Sequence, residues 1–429
     1  MYLKTLKALL LGLCIAAVGM ISWAPNSLAA DGNLEQQVQE LIQQNQALTD
    51  RLNQLEQRIA EPRAVAEPAY AGAESILGRI EDTIHIHGLL EFGGAYHSTD
   101  MNVGGHEQDS DLAMTTVELG IAAEVNDWVS AEMALLYEDP TFENDDTNFE
   151  VDTAIITIAN EEATPAFLMA GKMFVPFGAL LEHFPDDPLI HAPLTLLLGE
   201  TNEKALLIGA ELEGFTVSAY VFNGDVEEGD GDNVIESYGF DANYAFEDET
   251  QDLDMLVGAS YISNIAESDH IEDHLGGDID SYTPGAAVYF HVGLQGFFFD
   301  AEYMTATEEF DESDGAHMEL VPNTSVDPVT WAYTQTGGIG YAAKPEVWNL
   351  EVGYNYNWWK NLEITLKVAG SDDGEGLGFP KERYGINFNQ EIFDDTVFSV
   401  GYIYDYYDKD DHNDRNSQDL LFGQLAVEF

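Results

Sequence analysis

Between Pro176 and Lys204 the sequence gathers carboxylates and imidazoles at short spacing. They are Glu182, His183, Asp186, Asp187, His191, Glu200 and Glu203, with Lys172 and Lys204 on either side. Acids grouped in this way attract cations and repel anions, most strongly between low-dielectric walls. Two other clusters carry related chemistry. Asp269-His270-Ile271-Glu272-Asp273-His274 offers imidazole and carboxylate donors to a metal. Glu227-Glu228-Gly229-Asp230-Gly231-Asp232-Asn233 loosely resembles a calcium loop but lacks the EF-hand spacing. Both read better as solvated acidic loops. No nucleophile elbow or paired metal motif stands anywhere in the chain, so the sequence points to no enzyme, no metal site and no cofactor.

The whole chain shares this acidity: 79 acids against 15 bases, a net charge of −64 over 429 residues. Phosphates would be repelled, which excludes nucleic acid as a partner. A carboxylate-rich channel mouth explains the excess, and so does solubility in a saline habitat; composition does not separate the two. The single cysteine, Cys14, lies in the N-terminal apolar stretch, so the rest of the chain has neither disulfides nor thiolate metal sites.

What positions these residues follows from the patterning. Lys4 and Lys7 precede an apolar stretch from Ala8 to about Trp23, then Pro25 and Ser27-Leu28-Ala29-Ala30. That order is a secretory signal over residues 1–30, cleaved after Ala29 or Ala30. Residues 31–60 carry two interlocked seven-residue series. Leu34, Leu41, Leu48 and Leu55 form one, and Val38, Asn45, Leu52 and Ile59 the other. The 4-3 spacing predicts a coiled coil in the periplasm, with Asn45 setting register. A single amphipathic helix is the alternative. The seam residues lean to two strands. A Pro- and Ala-containing linker covers 61–82.

From residue 83 to 429 the period changes to two. Ile84, Ile86, Gly88, Leu90, Phe92, Gly94 and Tyr96 share one face, and His85, His87, Glu91 and His97 the other. Residues 129–138, 348–356 and 398–406 repeat the theme. Aromatic residues gather at segment ends (Tyr354, Tyr356, Trp358, Trp359; Tyr404, Tyr406, Tyr407), where interfacial girdles lie. Tight connections (Asn126-Asp127, Glu213-Gly214, Asp394-Asp395) alternate with long acidic ones at 98–110, 224–235, 263–282 and 408–416. The fold expected is an all-β transmembrane antiparallel barrel in the bacterial outer membrane, preceded by a short α-helical coiled coil. Strand-like segments number about 17, but a barrel with both ends in the periplasm needs an even number. Placing the Gly-rich 330–342 in an external loop leaves about 16, enough for an aqueous lumen. His85 and His87 then point into the lumen, as simple lining residues.

The connection at 175–203, after the fifth strand, is expected to fold inward and narrow the pore, lined by the acids and histidines named above with the two lysines at its roots. Folding over the rim is the alternative. The final residues Leu425, Val427 and Phe429 resemble the signal read by the barrel assembly machinery.

Several segments together resemble the LbtU-type siderophore porins: the signal plus coiled coil, Ile84-His85-Ile86-His87-Gly88-Leu89-Leu90-Glu91, Gly171-Lys172-Met173-Phe174-Val175-Pro176-Phe177-Gly178, Gly199-Glu200-Thr201-Asn202-Glu203, Lys344-Pro345-Glu346-Val347-Trp348-Asn349-Leu350-Glu351, and Phe429. The resemblance spans most of the chain and implies an outer-membrane porin, some members taking up ferric siderophores. The expected partners are outer-membrane lipids, the assembly machinery, further copies of the chain in a homo-oligomer (a trimer by porin analogy), and small solutes or ferric chelates. Passive transport is the leading function. A structural tether between outer membrane and cell wall is the rival.

Overall fold

A computed structural model describes residues 83–101, 105–139, 149–179, 193–226, 234–248, 250–275, 279, 281–311, 316–323, 330–337, 343–356, 361–374, 377–408 and 415–429. The signal (1–30), the coiled coil (31–60) and the linker (61–82) lie outside the described residues, as do Glu182, His183, Asp186, Asp187, His191 and the 227–233 acidic run.

The first strands are β1 (Ile84–Met101), β2 (His106–Asn126), β3 (Val129–Glu138), β4 (Glu150–Ala159) and β5 (Ala166–Phe174). A short helix α1 (Leu194–Gly199) precedes β6 (Asn202–Leu212), β7 (Phe215–Asn223), β8 (Ser237–Asp248) and β9 (Leu253–Ile262). A 3-10 turn (Ile265–Glu267) and helix α2 (Asp269–Leu275) lead to β10 (Gly285–Leu294) and β11 (Phe297–Ala306). Then come β12 (Ala316–Asn323), β13 (Thr330–Gly337), β14 (Glu346–Tyr356), β15 (Leu362–Asp372), β16 (Glu382–Phe393), β17 (Thr396–Tyr406) and β18 (Arg415–Glu428). Among the described residues no helix is long and apolar enough to cross a membrane.

Sixteen of these strands close into one antiparallel barrel in which each pairs with its chain neighbour, except that β14 pairs with β11 and β18 returns to β1. The strands β12 and β13 form a separate two-stranded sheet. The barrel therefore omits 330–337, as the even-number rule requires, and β13 instead closes a hairpin with β12. One loop expectation fails. The stretch 98–110 is almost wholly strand, because β1 and β2 stay in register as far as Asp100↔His106. Polar residues alternating with polar residues give no period-two signal, yet backbone pairing continues where both faces meet water.

The barrel is inverted relative to a soluble protein. Ile86 is 66% exposed and Ile208 60%, both on the outer face, whereas inward Glu351 is 1% and Asp405 4% exposed. Apolar side chains turned outward are stable only against lipid, and carboxylates turned inward only where charge or water compensates them.

A second apolar cluster sits within the wall at the end bearing the long loops. It joins inward side chains of β5, β9 and β11 (Met173, Ile262, Met304) to Val175, Phe177, Leu194, Leu198, Ile265, Ile271, Leu275, Phe310 and Phe379. Burying each large side chain contributes ~1.5–3 kcal/mol. That holds the long connections in defined places.

Candidate functional site

In β6 the residues Glu203, Ala205 and Leu207 are buried on the inner face, and Lys204, Leu206 and Ile208 are exposed on the outer one. Strand β5 pairs Lys172 with Lys204 and Met173 with Glu203. Both lysines therefore sit on the outward face, beside Leu206 and Ile208, and not at the root of the lumen. Lys172 donates from Nζ to the Val151 carbonyl at 3.0 Å. Lys204 lies 3.6 Å from Glu203 and 3.8 Å from Asp225.

The chain leaving β5 does not follow the rim to β6. The amide of Gly178 donates to Ser260 Oγ on β9 at 2.7 Å, and that of Ala179 to Glu302 Oε1 on β11 at 2.6 Å. Strands β6 to β10 separate β5 from β11 in the wall, and Ser260 and Glu302 are buried, so this segment crosses the interior. Gly178, at φ +84°, turns the chain where an added Cβ would stand 2.6 Å from Glu302 Oε1. Helix α1 then packs against β11, β14, β15 and α2. Glu200 accepts the Asp269 amide at 2.9 Å through its backbone oxygen.

The acidic run at 269–275 is no solvated loop. It is helix α2, with Ile271 and Leu275 fully buried. His270 Nε2 meets the Leu377 carbonyl at 3.0 Å, and its ring packs on Phe379. Its imidazole is thus engaged with a neighbouring loop, and no metal-holding group of His, Cys, Asp and Glu occurs among the described residues.

The inner wall itself carries paired charges that no motif marks in the sequence. On β14 and β15, Glu351 and Lys367 pair at 3.2 Å, and Asn349 Nδ2 donates to the same Glu351 oxygen at 2.9 Å. On β16 and β17, Arg383 grips Asp405 with two bonds, Nε–Oδ1 and Nη2–Oδ2, each 2.8 Å. His291 stands between Asp254 (2.6 Å) and Asp300 (2.5 Å). Both of its nitrogens can donate together only from the imidazolium. Asp241 accepts from the Tyr289 hydroxyl at 2.7 Å and from Asn243 at 2.8 Å. Glu91 and Glu203 are also buried on this wall. His87 faces Glu118 at 3.8 Å and remains largely solvent-accessible.

The fixed cations Lys367 and Arg383 are each committed to a carboxylate, and further carboxylates remain. The wall is net acidic. Its turn end opens into a cleft of about 250 Å³ lined, among the described residues, by Asn355, Asn361, Glu363, Asn389, Glu391, Asp395, Thr396, Val397 and Glu428.

The barrel seam brings the carboxy terminus onto the first strand. Leu425 pairs with Phe92 and Val427 with Leu90. Phe429 exchanges two backbone bonds with Gly88, at 2.9 and 3.1 Å.

Comparison with known proteins agrees with this geometry at the level of the fold. An anion-selective porin from Comamonas acidovorans superposes with a TM-score of 0.55 at 12% identity, covering 81% of this chain and 99% of that one. The fold is porin-like. In sequence, a UPF0422 protein of Coxiella burnetii is 26% identical over 325 residues, covering 74% of this chain and 63% of the relative. A UPF0422 protein of Legionella pneumophila (strain Lens) is 24% identical over 326 residues, covering 69% and 54%. The chain thus spans less than two thirds of the length of these relatives. No family model matches it.

Proposed function

We propose that this porin-like barrel is an outer-membrane channel for the passive movement of small solutes, selective for cations over anions. The observation that carries the reading is the inverted barrel: an apolar outer skin around an inner wall whose described cations, Lys367, Arg383 and the His291 imidazolium, each lie against carboxylates, with the further carboxylates Glu91, Glu203 and Asp241 beyond those pairs. A wall of that kind lowers the energy of a passing cation and raises that of an anion. The selectivity of this chain is thereby opposite to what is named for the Comamonas acidovorans porin.

The finer elements of the reading rest on sequence alone. The connection 175–203 contributes the constriction, through Glu182, His183, Asp186, Asp187, His191, Glu200 and Glu203. Residues 31–60 form a periplasmic coiled coil that joins copies of the chain, a trimer by porin analogy. Leu425, Val427 and Phe429 address the chain to the assembly machinery. Ferric siderophores are the specific cargo, as the resemblance to LbtU-type porins suggests.

Single-channel recording on the purified protein in planar bilayers tests the core of the proposal. Discrete conductance steps are expected, with a reversal potential of cation-selective sign across a salt gradient. Silent bilayers would remove the channel and leave a structural tether. An anion-selective potential would place the acids away from the ion path.

A further inference from the structure

Strand β2 outruns the strand beside it. Its outermost pair with β3 is Thr116↔Glu138, and the Asp139 amide reaches back only to the Thr115 carbonyl, at 3.2 Å. On its other side β1 stays paired with it as far as Asp100↔His106. Residues 106–114 therefore have one edge in the sheet and, among the described residues, no strand on the other. At ~3.3 Å per residue this open edge is about 30 Å long. It stands at the end of β2 away from the tight turn into β3, and His106 to Leu112 are exposed throughout.

The pairing fixes which backbone groups face that edge. Gly88 exchanges both of its bonds with Phe429, and the β1–β18 ladder runs unshifted from Leu89 to Asp100. Even-numbered residues of β1 thus turn their backbone groups to β18 and odd ones to β2. Ala95, His97 and Thr99 stand opposite Asp111, Asp109 and Glu107, so these three acids commit their own backbone groups to β1. The amides and carbonyls of His106, Gln108, Ser110 and Leu112 point to the open edge. Two of those amides are covered by neighbouring side chains: Ser110 donates to Asp109 Oδ1 and Leu112 to Asp111 Oδ1, each at 2.8 Å. What the edge offers a partner is carbonyl acceptors flanked by the carboxylates of Glu107, Asp109 and Asp111.

We propose that this open edge is a docking strand for a basic, extended segment of another polypeptide, which joins β2 as a further strand. In strand addition the main chain supplies affinity and the side chains select the partner. Lysine or arginine side chains of the incoming strand draw the Asp109 and Asp111 carboxylates to themselves, and the amides of Ser110 and Leu112 then donate to its carbonyls. Charge decides among the occupants. A second copy, paired antiparallel about Ser110, sets Asp109 of each chain opposite Asp111 of the other, and like charges directly opposite destabilise. The chain's own next connection, 139–149, carries Asp139, Glu143, Asp145 and Asp146 without a lysine or arginine. Acids on an edge refuse strands of like charge and admit those of opposite sign. Lysine and proline, which would refuse a basic strand as well, do not occur in 106–114. Exposed Leu112 and Met114 add apolar contact for the guest.

The test sets short fluorescent peptides, of the same length as the edge, against the full-length protein in detergent at physiological salt. One alternates lysine and valine. A second has the same sequence with every backbone amide N-methylated, which keeps the charge and removes every backbone donor. A third alternates glutamate and valine. The first should bind at least about tenfold more tightly than the second, and the third should not bind. Amide exchange across 106–114 should slow about tenfold or more with the first peptide alone. Ser110→Pro removes an edge amide without touching the bonds to β1, and should lower the affinity for the first peptide to that of the second. Equal affinities of the two cationic peptides would show that the acids merely attract positive charge, and would overturn the proposal. So would absence of binding by the lysine–valine peptide, or wild-type binding by Ser110→Pro. If that variant does not fold, the peptide comparison and the exchange pattern decide on the wild type. None of this requires the barrel to conduct, so the docking strand and the channel reading stand or fall separately.

Discussion

The pair Arg383–Asp405 provides the sharpest test of how this wall is held. Both side chains are almost completely shielded, at 7% and 6% exposure, and meet through two parallel bonds of 2.8 Å. Changing Arg383 to methionine leaves a shielded carboxylate without its guanidinium. Charge-assisted bonds contribute ~1.5–3 kcal/mol each, so losing both predicts ~3–5 kcal/mol, the usual cost of breaking a buried pair from one side. Asp405→Leu should cost a similar amount, by stranding the guanidinium instead. The double variant removes both charges and fills the space with apolar atoms, which is commonly neutral or stabilising. Its loss should be smaller than either single loss, with a coupling energy above ~2 kcal/mol. Guanidinium-induced unfolding in detergent, followed by tryptophan fluorescence and by the mobility shift of the folded barrel, gives all four stabilities. Single losses below ~1 kcal/mol would mean that water reaches the pair and screens it. A double variant as unstable as the worse single would refute the pairwise account.

Two further outcomes follow from the backbone. Gly171 has φ +150° and a Cβ added there would stand 1.9 Å from the Ala154 carbonyl oxygen, so Gly171→Ala should destabilise the barrel by ~3 kcal/mol or more through strain and overpacking together. Removing Phe429 deletes both seam bonds to Gly88 and should cost ~1–3 kcal/mol at about one net kcal/mol per bond, whereas Phe429→Ala, which keeps them, should cost less. Equal folded fractions for these two variants in a urea series would show that the ring, and not the backbone seam, closes the barrel.

Much of the barrel is legible in the sequence. With lipid on one side and water on the other, side chains must alternate, and the runs around Ile86, Val352 and Phe398 say so plainly. Tight turns such as Glu213-Gly214 mark strand ends, with both residues at positive φ. Legibility failed where the inner face is apolar too. In Ala205-Leu206-Leu207-Ile208 both faces are greasy, because Ala205 and Leu207 pack on the inward cluster. The alternation that would have placed Lys172 and Lys204 outside is therefore invisible. Helix α2 was hidden for a related reason: its seven residues read as an acidic loop, and only their packing exposes Ile271 and Leu275 as its anchors.

What the chain alone determined is the class of solution: strands of period two, an even number of them, tight turns opposite long acidic loops, and carboxylates with few bases to match. Which charges meet was decided only on folding. Counted from the Asp394-Asp395 turn, where Phe393 pairs with Thr396, Arg383 would stand opposite Tyr406. A bulge between Glu391 and Phe393 moves the pairing by one residue and sets Arg383 against Asp405. A shift of one reverses the face of every side chain beyond it, and no local propensity records it. The pairing of β16 with β15 on one side and with β17 on the other holds the register in which the buried charges meet.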